Sequence, residues 1–226
     1  MYVGNVMRTA LVTVPPDTTL LSAQDILDKN QINHLLVVDG DGELLGIVSD
    51  RDLKKSWASS ATTLSKNELM YLLDQVTVSS IMAKKTLTIT PGTTIERAAL
   101  LMNQNRINAL PVLEGEDLVG IITSSDVIKI LLEAIGIEKD SARLTVLVKD
   151  RIGVISDISQ TLRNQGINIR SLFTWPENDH PGVYYLVIRV PADSGAKAAA
   201  SLKDSGFKVL SHYVKDLGPY LPGGEH

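Results

Sequence analysis

Two octapeptides carry the residues most suited to chemistry in this chain: Gly46-Ile47-Val48-Ser49-Asp50-Arg51-Asp52-Leu53 and Gly120-Ile121-Ile122-Thr123-Ser124-Ser125-Asp126-Val127. Each opens on glycine, continues with residues of β propensity, reaches a hydroxyl residue, and places an acid three positions later. A carboxylate at such a strand-to-helix junction can accept two hydrogen bonds from a ribose 2′,3′-diol, and bonds to a charged acceptor are about twice as strong as neutral ones. Asp52 and Asp126 are the candidates for that role. The hydroxyls of Ser49, Thr123 and Ser125, together with the first N–H groups of the helix, could hold a phosphate. The same Ser/Thr-x-x-Asp spacing is also an ordinary helix cap, worth about 1 kcal/mol with no ligand at all. Spacing alone leaves both readings open.

The elements that must position these residues come as a duplicated unit. Sliding the chain by 75 places Val6–Asp39 on Ile81–Glu114 without a gap, and eleven of the 34 pairs are identical, among them Met7/Met82, Pro16/Pro91, Ile32/Ile107 and Asn33/Asn108. The offset falls to 74 after the turn, which aligns Gly46 with Gly120 and Asp52 with Asp126. In the first copy, Leu11–Val14 reads as a short strand stopped by Pro15-Pro16. Asp17 or Thr18 is expected to cap a helix with Leu20, Ala23, Ile26 and Leu27 on one face. Leu35–Val38 reads as a buried strand, Asp39–Gly42 as a hairpin turn, and Leu44–Val48 as the return. Asp50 or Asp52 then starts a second helix. The second copy repeats the order with a strand at Leu87–Ile89, a helix over Thr94–Gln104 and strands at Leu110–Leu113 and Leu118–Ile122. Ser56–Leu64 reads as an exposed connection and Lys66–Gln75 as a helix with Leu69, Leu72 and Leu73 inward.

Residues after Ser141 match neither copy. Arg143–Val148, Ile167–Phe173, Val183–Val190 and Phe207–Val214 read as strands, and Val154–Asn164 and Ala196–Lys203 as helices. This is the β-α-β-β-α-β order of a ferredoxin-like unit.

Bulk properties exclude several classes. The 226 residues suffice for two domains. A net charge of −4, with no Lys/Arg run beyond two, argues against a nucleic-acid partner. There is no cysteine, so disulfides, thiolate metal sites and cysteine nucleophiles are excluded. His34, His180, His212 and His226 lack metal-ligand spacing. The first residues lack a signal-peptide pattern, and no apolar run approaches the roughly 18–20 residues of a membrane span. The expectation is a soluble cytoplasmic protein with no metal and no membrane partner. Gly40-x-Gly42-x-x-x-Gly46 has the wrong spacing for a dinucleotide fingerprint. Asp39, Asp41 and Glu43 read as a solvated turn, because Leu44 stands where a calcium loop needs glycine. Trp57 and Trp175 read as packing or interface residues.

The two repeats resemble CBS domains, and a tandem pair of these is a Bateman module. The resemblance rests on Met7 with Val12-Thr13-Val14 and Pro16, on Ile32–Asp39, on the two octapeptides and on Ile107–Val112. Residues 142–217 resemble an ACT domain through Asp150-Arg151-Ile152-Gly153-Val154 and Gly166-Ile167-Asn168-Ile169. The arrangement is similar to the acetoin-utilisation protein B family, with Lys66–Leu73 and Pro176–Val183 as supporting segments. The fold class implied is α+β: a pseudo-two-fold CBS pair followed by a ferredoxin-like ACT domain. Expected boundaries are 1–58 for the first repeat, 59–75 for a connection, 76–135 for the second repeat, 142–217 for the ACT domain and 218–226 for a tail.

The resemblance implies an adenine nucleotide (AMP, ADP or ATP) as a regulatory ligand, with no cofactor required. It implies a ribose or phosphate role for Ser49, Arg51, Asp52, Thr123, Ser125 and Asp126, and apolar contacts to adenine from Val14, Ile32, Ile107 and Pro111. The basic residue that touches phosphate in such modules falls at His34 in the first copy and at Ala109 in the second. Two departures stand out: Leu36 against Pro111, and Ala109 in place of a cation. The second copy reads as the better-formed ribose clamp and the first as better suited to phosphate charge. In the ACT part, Asp150, Arg151, Gly153 and Asn168 are the expected ligand loop for an amino acid or small metabolite at a dimer interface. The alternative there is a tight βα turn in which Gly153 serves close backbone approach. A homodimer is expected, because symmetry could bury the apolar faces these small units leave. A partner protein is expected as well. No base–nucleophile pair occurs, so the reading is a regulatory sensor and not an enzyme. The alternative is an interaction scaffold with vestigial clefts.

Overall fold

The computed structural model describes residues 1–56, 71, 74–137 and 140–222. The expected connection beyond Ser56, Trp57, most of the helix expected over Lys66–Gln75, Glu138-Lys139 and the last four residues lie outside the described residues. The chain divides into two compact units, Met1–Ile128 and Lys129–His226.

The first unit contains both repeats. In repeat one, strand β1 (Thr13–Val14) runs parallel to β2 (His34–Val38), which pairs antiparallel with β3 (Leu44–Ser49). Helices α1 (Leu20–Asn30) and α2 (Asp50–Ser56) complete it. Repeat two has α3 (Ile95–Asn105), the hairpin β4 (Ala109–Glu114) and β5 (Asp117–Thr123), and α4, which starts at Ser124. The expected strand at Leu87–Ile89 reduces to one parallel bridge, Ile89 to Val112.

The cap of α1 is Thr19, not Asp17 or Thr18, and its hydroxyl accepts the Ser22 amide at 3.2 Å. Thr18 lies one residue outside the helix, its amide donating to Pro15 O in a turn and its carbonyl accepting from Val78 N. Thr94 caps α3 in the same way, accepting from Arg97 N. Alternation along β2 and β3 sends Leu35, Val37 and Val48 into a core with Val14, Leu20, Ala23, Leu27 and Leu53. His34, Leu36, Ile47 and Ser49 therefore point the other way, as the period of two requires.

The opening segment of each repeat docks on the other repeat. Val3 and Gly4 donate to Thr93 O and Pro91 O, and Arg8 exchanges two backbone hydrogen bonds with Ile121. Symmetrically, Val78 and Ser79 donate to Thr18 O and Pro16 O, and Ala83 exchanges two with Ile47. This exchange explains the repeated glycine of the octapeptides. A Cβ on Gly120 would stand 2.5 Å from Met7 Sδ, and one on Gly46 would stand 2.9 Å from Met82 Sδ and 2.8 Å from Ala83 O. The repeated methionine of one copy thus packs on the repeated glycine of the other.

The second unit is a four-stranded antiparallel sheet in the order β7-β8-β6-β9, made of β6 (Ser141–Lys149), β7 (Ser171–Pro176), β8 (Val183–Pro191) and β9 (Lys208–Leu210). Helices α5 (Val154–Asn164) and α6 (Gly195–Asp204) supply Ile158, Leu162, Ala198 and Leu202 to its core. The β-α-β-β-α-β order is as expected. Two strands differ from expectation. β7 begins at Ser171, where Arg170 N has joined Arg189 O, so Ile167–Ile169 precede the strand and Ile167 turns into the core. β9 is confined to three residues because only those pair with β6.

Candidate functional site

A cleft of about 840 Å³ lies in the first unit, lined by residues of both repeats in near-equivalent pairs. Its wall includes Ile32 with Ile107, Asn33 with Asn108, His34 with Ala109, Ile47 with Ile121, Ser49 with Thr123, and Arg51 with Ser125. Arg8, Arg51, Lys55, Lys85 and Arg106 supply five cations against two acids, Asp50 and Asp52. Such a wall suits an anion with an apolar part. Of the sequence candidates, the cleft gathers His34, Ser49, Arg51, Asp52, Ile32, Ile107, Thr123 and Ser125. Val14, Pro111 and Asp126 are not on its wall. Val14 is buried in the first repeat's core, where Val12 takes the cleft position instead. Pro111 is buried opposite Ile121, and its carbonyl accepts from Ile89 N.

Both acids form reciprocal caps. Asp52 Oδ2 accepts the Ser49 amide at 3.0 Å and hydroxyl at 2.5 Å, while the Asp52 amide donates to Ser49 Oγ at 3.3 Å. Asp126 Oδ2 accepts the same pair from Thr123 at 3.0 and 2.6 Å, and its amide returns a bond to Thr123 Oγ1. This is the capping box with aspartate in the acid position. Capping occupies one oxygen of each carboxylate. The second oxygen differs between copies. Asp126 Oδ1 accepts Arg8 Nη2 at 2.9 Å, whereas among the described residues no protein donor reaches Asp52 Oδ1.

The electrostatics follow from these contacts. Partial burial pushes the Asp126 carboxyl up, but the Thr123 hydroxyl, the Arg8 guanidinium and the Thr123 amide outweigh it and hold the acid below its usual range. Burial pulls the His34 imidazole below its ordinary value, with nearby Asp52 opposing. Burial therefore works against a positive charge on His34, the charge that its expected phosphate role would use. Its place is set by the sheet register, which pairs it with Ser49.

Sequence reasoning missed Arg8, Lys85 and Arg106. Arg106 stands at φ 54°, and its counterpart Gln31 at 52°, each as the left-handed C-cap of its helix. Both line the cleft, and non-glycine residues in that conformation are enriched at functional positions. The available signal was their place between the repeated Asn30/Asn105 and Ile32/Ile107. Arg8 offered no local signal, because its partner lies 118 residues away.

In the second unit, Asp150, Arg151 and Gly153 sit together in the exposed turn before α5. Asp150 N donates to Gly182 O, and Arg151 pairs with Asp157 at 2.6 Å. Gly153 has φ 88°, and no atom beyond its own chain neighbours lies within 4 Å of the position its Cβ would take. Backbone conformation and not close approach requires glycine there. Asn168 is exposed in the segment between α5 and β7. Among the described residues there is no metal-type cluster of three or more acids and histidines, and no helix long and apolar enough to cross a membrane.

The CBS domain model matches residues 3–59 and 78–133, and the ACT domain model residues 142–203. The chain belongs to the CBS-domain family. It is a CBS pair followed by an ACT domain. A CBS domain-containing protein of Dictyostelium discoideum is 36% identical over 136 residues, 60% of this chain and 94% of that one. The solved CBS-domain containing protein of Agrobacterium tumefaciens shares 29% identity at a TM-score of 0.50, covering 58% of this chain and 99% of its own. A homoserine O-acetyltransferase of Methanosalsum zhilinae is 33% identical over 130 residues, but these are 57% of this chain and only 24% of the enzyme. The enzyme name therefore describes a far longer protein than the part this chain resembles.

Proposed function

We propose that this protein is a regulatory sensor that takes an adenine nucleotide (AMP, ADP or ATP) in the CBS cleft. The observation that carries the reading is Asp52. Ser49 fixes its carboxylate through Oδ2, while among the described residues no protein donor reaches Oδ1, and Asp52 lines the cleft. A diol is the neutral group that such an oxygen binds well. Ile32 and Ile107 offer apolar wall for a base, and the surrounding cations suit phosphate charge. In this proposal the ACT loop of Asp150, Arg151, Gly153 and Asn168 takes an amino acid or small metabolite. The chain works as a cytoplasmic homodimer acting on a partner protein, with acetoin utilisation as the candidate pathway. Ligand binding shifts the module only by its difference in affinity between two states.

The capping boxes favour a second reading, an interaction scaffold with vestigial clefts, because they account for both repeated acids without any ligand. Thermal unfolding with AMP, ADP, ATP, NAD or S-adenosylmethionine separates the two. A specific adenylate at 100 times its Kd adds about 2.7 kcal/mol. The shift is expected to vanish in the folded double variant Asp52→Ala, Asp126→Ala. No shift with any adenylate sinks the sensor reading. A shift with amino acids alone moves the sensing role to the ACT domain.

A further inference from the structure

The two halves of the cleft are equivalent in backbone and unequal in charge, and Arg8 is one of the residues that make the difference. Arg8 and Ala83 occupy the same place about the pseudo-two-fold axis. Arg8 bridges Ile121, and Ala83 bridges Ile47. Each follows the methionine that packs on the other repeat's glycine. From Arg8 a guanidinium reaches the free oxygen of Asp126 at 2.9 Å. Ala83 offers only a methyl group in place of the guanidinium, and among the described residues no protein donor reaches Asp52 Oδ1.

We infer that Arg8 limits the cleft to one nucleotide per chain, bound at Asp52, by occupying the acceptor that a second nucleotide would need at Asp126. The inference rests on the adenylate reading above and adds stoichiometry and site to it. Three observations support it. Asp52 lines the cleft and Asp126 does not. The Arg8 hydrogen bond takes the one Asp126 oxygen that the Thr123 cap leaves over. Arg8 is itself on the cleft wall, and its guanidinium holds the acid at 2.9 Å. The second half thus carries an internal cation where the first half has room for a ligand hydroxyl. Because Arg8 belongs to repeat one and Asp126 to repeat two, the restriction exists only when the opening segments are exchanged.

The test is equilibrium dialysis of AMP against the full chain, read as equivalents bound at saturation. The wild type is expected to bind one equivalent. Asp52→Ala is expected to abolish it, and Asp126→Ala to retain it within about threefold of the wild-type Kd, as for loss of a weak surface pair. Arg8→Ala is expected to bind two, the second lost again in Arg8→Ala, Asp126→Ala. Two equivalents on the wild type, one equivalent that follows Asp126 instead of Asp52, or one equivalent on folded Arg8→Ala each overturn the inference while leaving the sensor reading intact. No AMP, ADP or ATP bound by any variant overturns both. Should Arg8→Ala fail to fold, the two aspartate variants still decide which acid holds the ligand.

Discussion

Alanine at Gly46 is expected to destabilise the first unit far more than alanine at Gly120, although the Gly120 position has the shorter contact. At Gly46 the new Cβ meets Ala83 O at 2.8 Å, a backbone atom. That carbonyl accepts Ile47 N at 3.2 Å, and Ala83 N donates to Ile47 O at 2.9 Å. The segment cannot retreat without stretching both bonds. Overpacking costs about 1–3 kcal/mol, and weakening two hydrogen bonds adds about 1 kcal/mol or more. Relief of glycine's entropy returns about 0.5–1 kcal/mol. The net for Gly46→Ala is about 2–3 kcal/mol. At Gly120 the nearest atoms are Met7 Sδ at 2.5 Å and Cγ at 3.0 Å, the far end of a flexible side chain, with Arg8 O at 3.3 Å. A rotamer change costs about 0.5–1.5 kcal/mol, so Gly120→Ala nets about 1 kcal/mol or less. Urea unfolding of the full chain by circular dichroism measures both. Met7→Ala is expected to reduce the remaining cost of Gly120→Ala, and Met82→Ala to leave most of the cost of Gly46→Ala. If Gly120→Ala proves as costly as Gly46→Ala, the exchanged backbone is not the constraint and the reasoning fails.

The Asp126 carboxyl is held below its ordinary value, so its contribution to stability is complete above the unfolded value near 3.9 and disappears as pH falls through the lower folded value. Arg8→Ala should move that acid loss to higher pH in urea midpoints followed from pH 2 to 6, and an unchanged acid limb would refute the pairing. The His34 imidazole, lowered by burial, should show an NMR titration midpoint below 6.5 that drops further in Asp52→Asn. Its contribution to stability is present above that unfolded value and fades as pH falls through the folded one. A midpoint at or above 6.5 contradicts the burial. Ser49→Ala and Thr123→Ala should each cost about 1 kcal/mol in denaturant unfolding, since the two caps have the same geometry. A negligible cost at both would remove the structural role assigned to the octapeptides.

Much of the fold was legible because it is local. The continuous apolar run Leu35–Val38 and the return Leu44–Val48 are enough to assign two strands, while which of their side chains enter the core and which line the cleft is seen only in the structure. The helix expected over Thr94–Gln104 is observed at Ile95–Asn105, with Thr94 as its cap. The cleft was legible where it draws on residues near the octapeptides: Ser49, Asp52, Thr123 and Ser125 all line it. It was not legible at Val14 and Pro111, because residues of equal hydrophobicity at neighbouring positions do not reveal which one faces the cleft. The cap of α1 was misplaced because Asp17, Thr18 and Thr19 are all capable capping residues, and their types alone do not say which one precedes the first helical turn.

By itself the sequence determined the duplication, the element order, the ferredoxin-like unit and the repeated hydroxyl–acid pair, since periodicity and internal identity record short-range constraints. Only the tertiary structure decided the exchange of opening segments. That exchange explains why Gly46 and Gly120 have no side chain, and it brings Arg8 to Asp126 and leaves Asp52 open. The physical reason is that a hydrogen bond between residues 118 apart depends on how two repeats pack, and no spacing within either repeat encodes it.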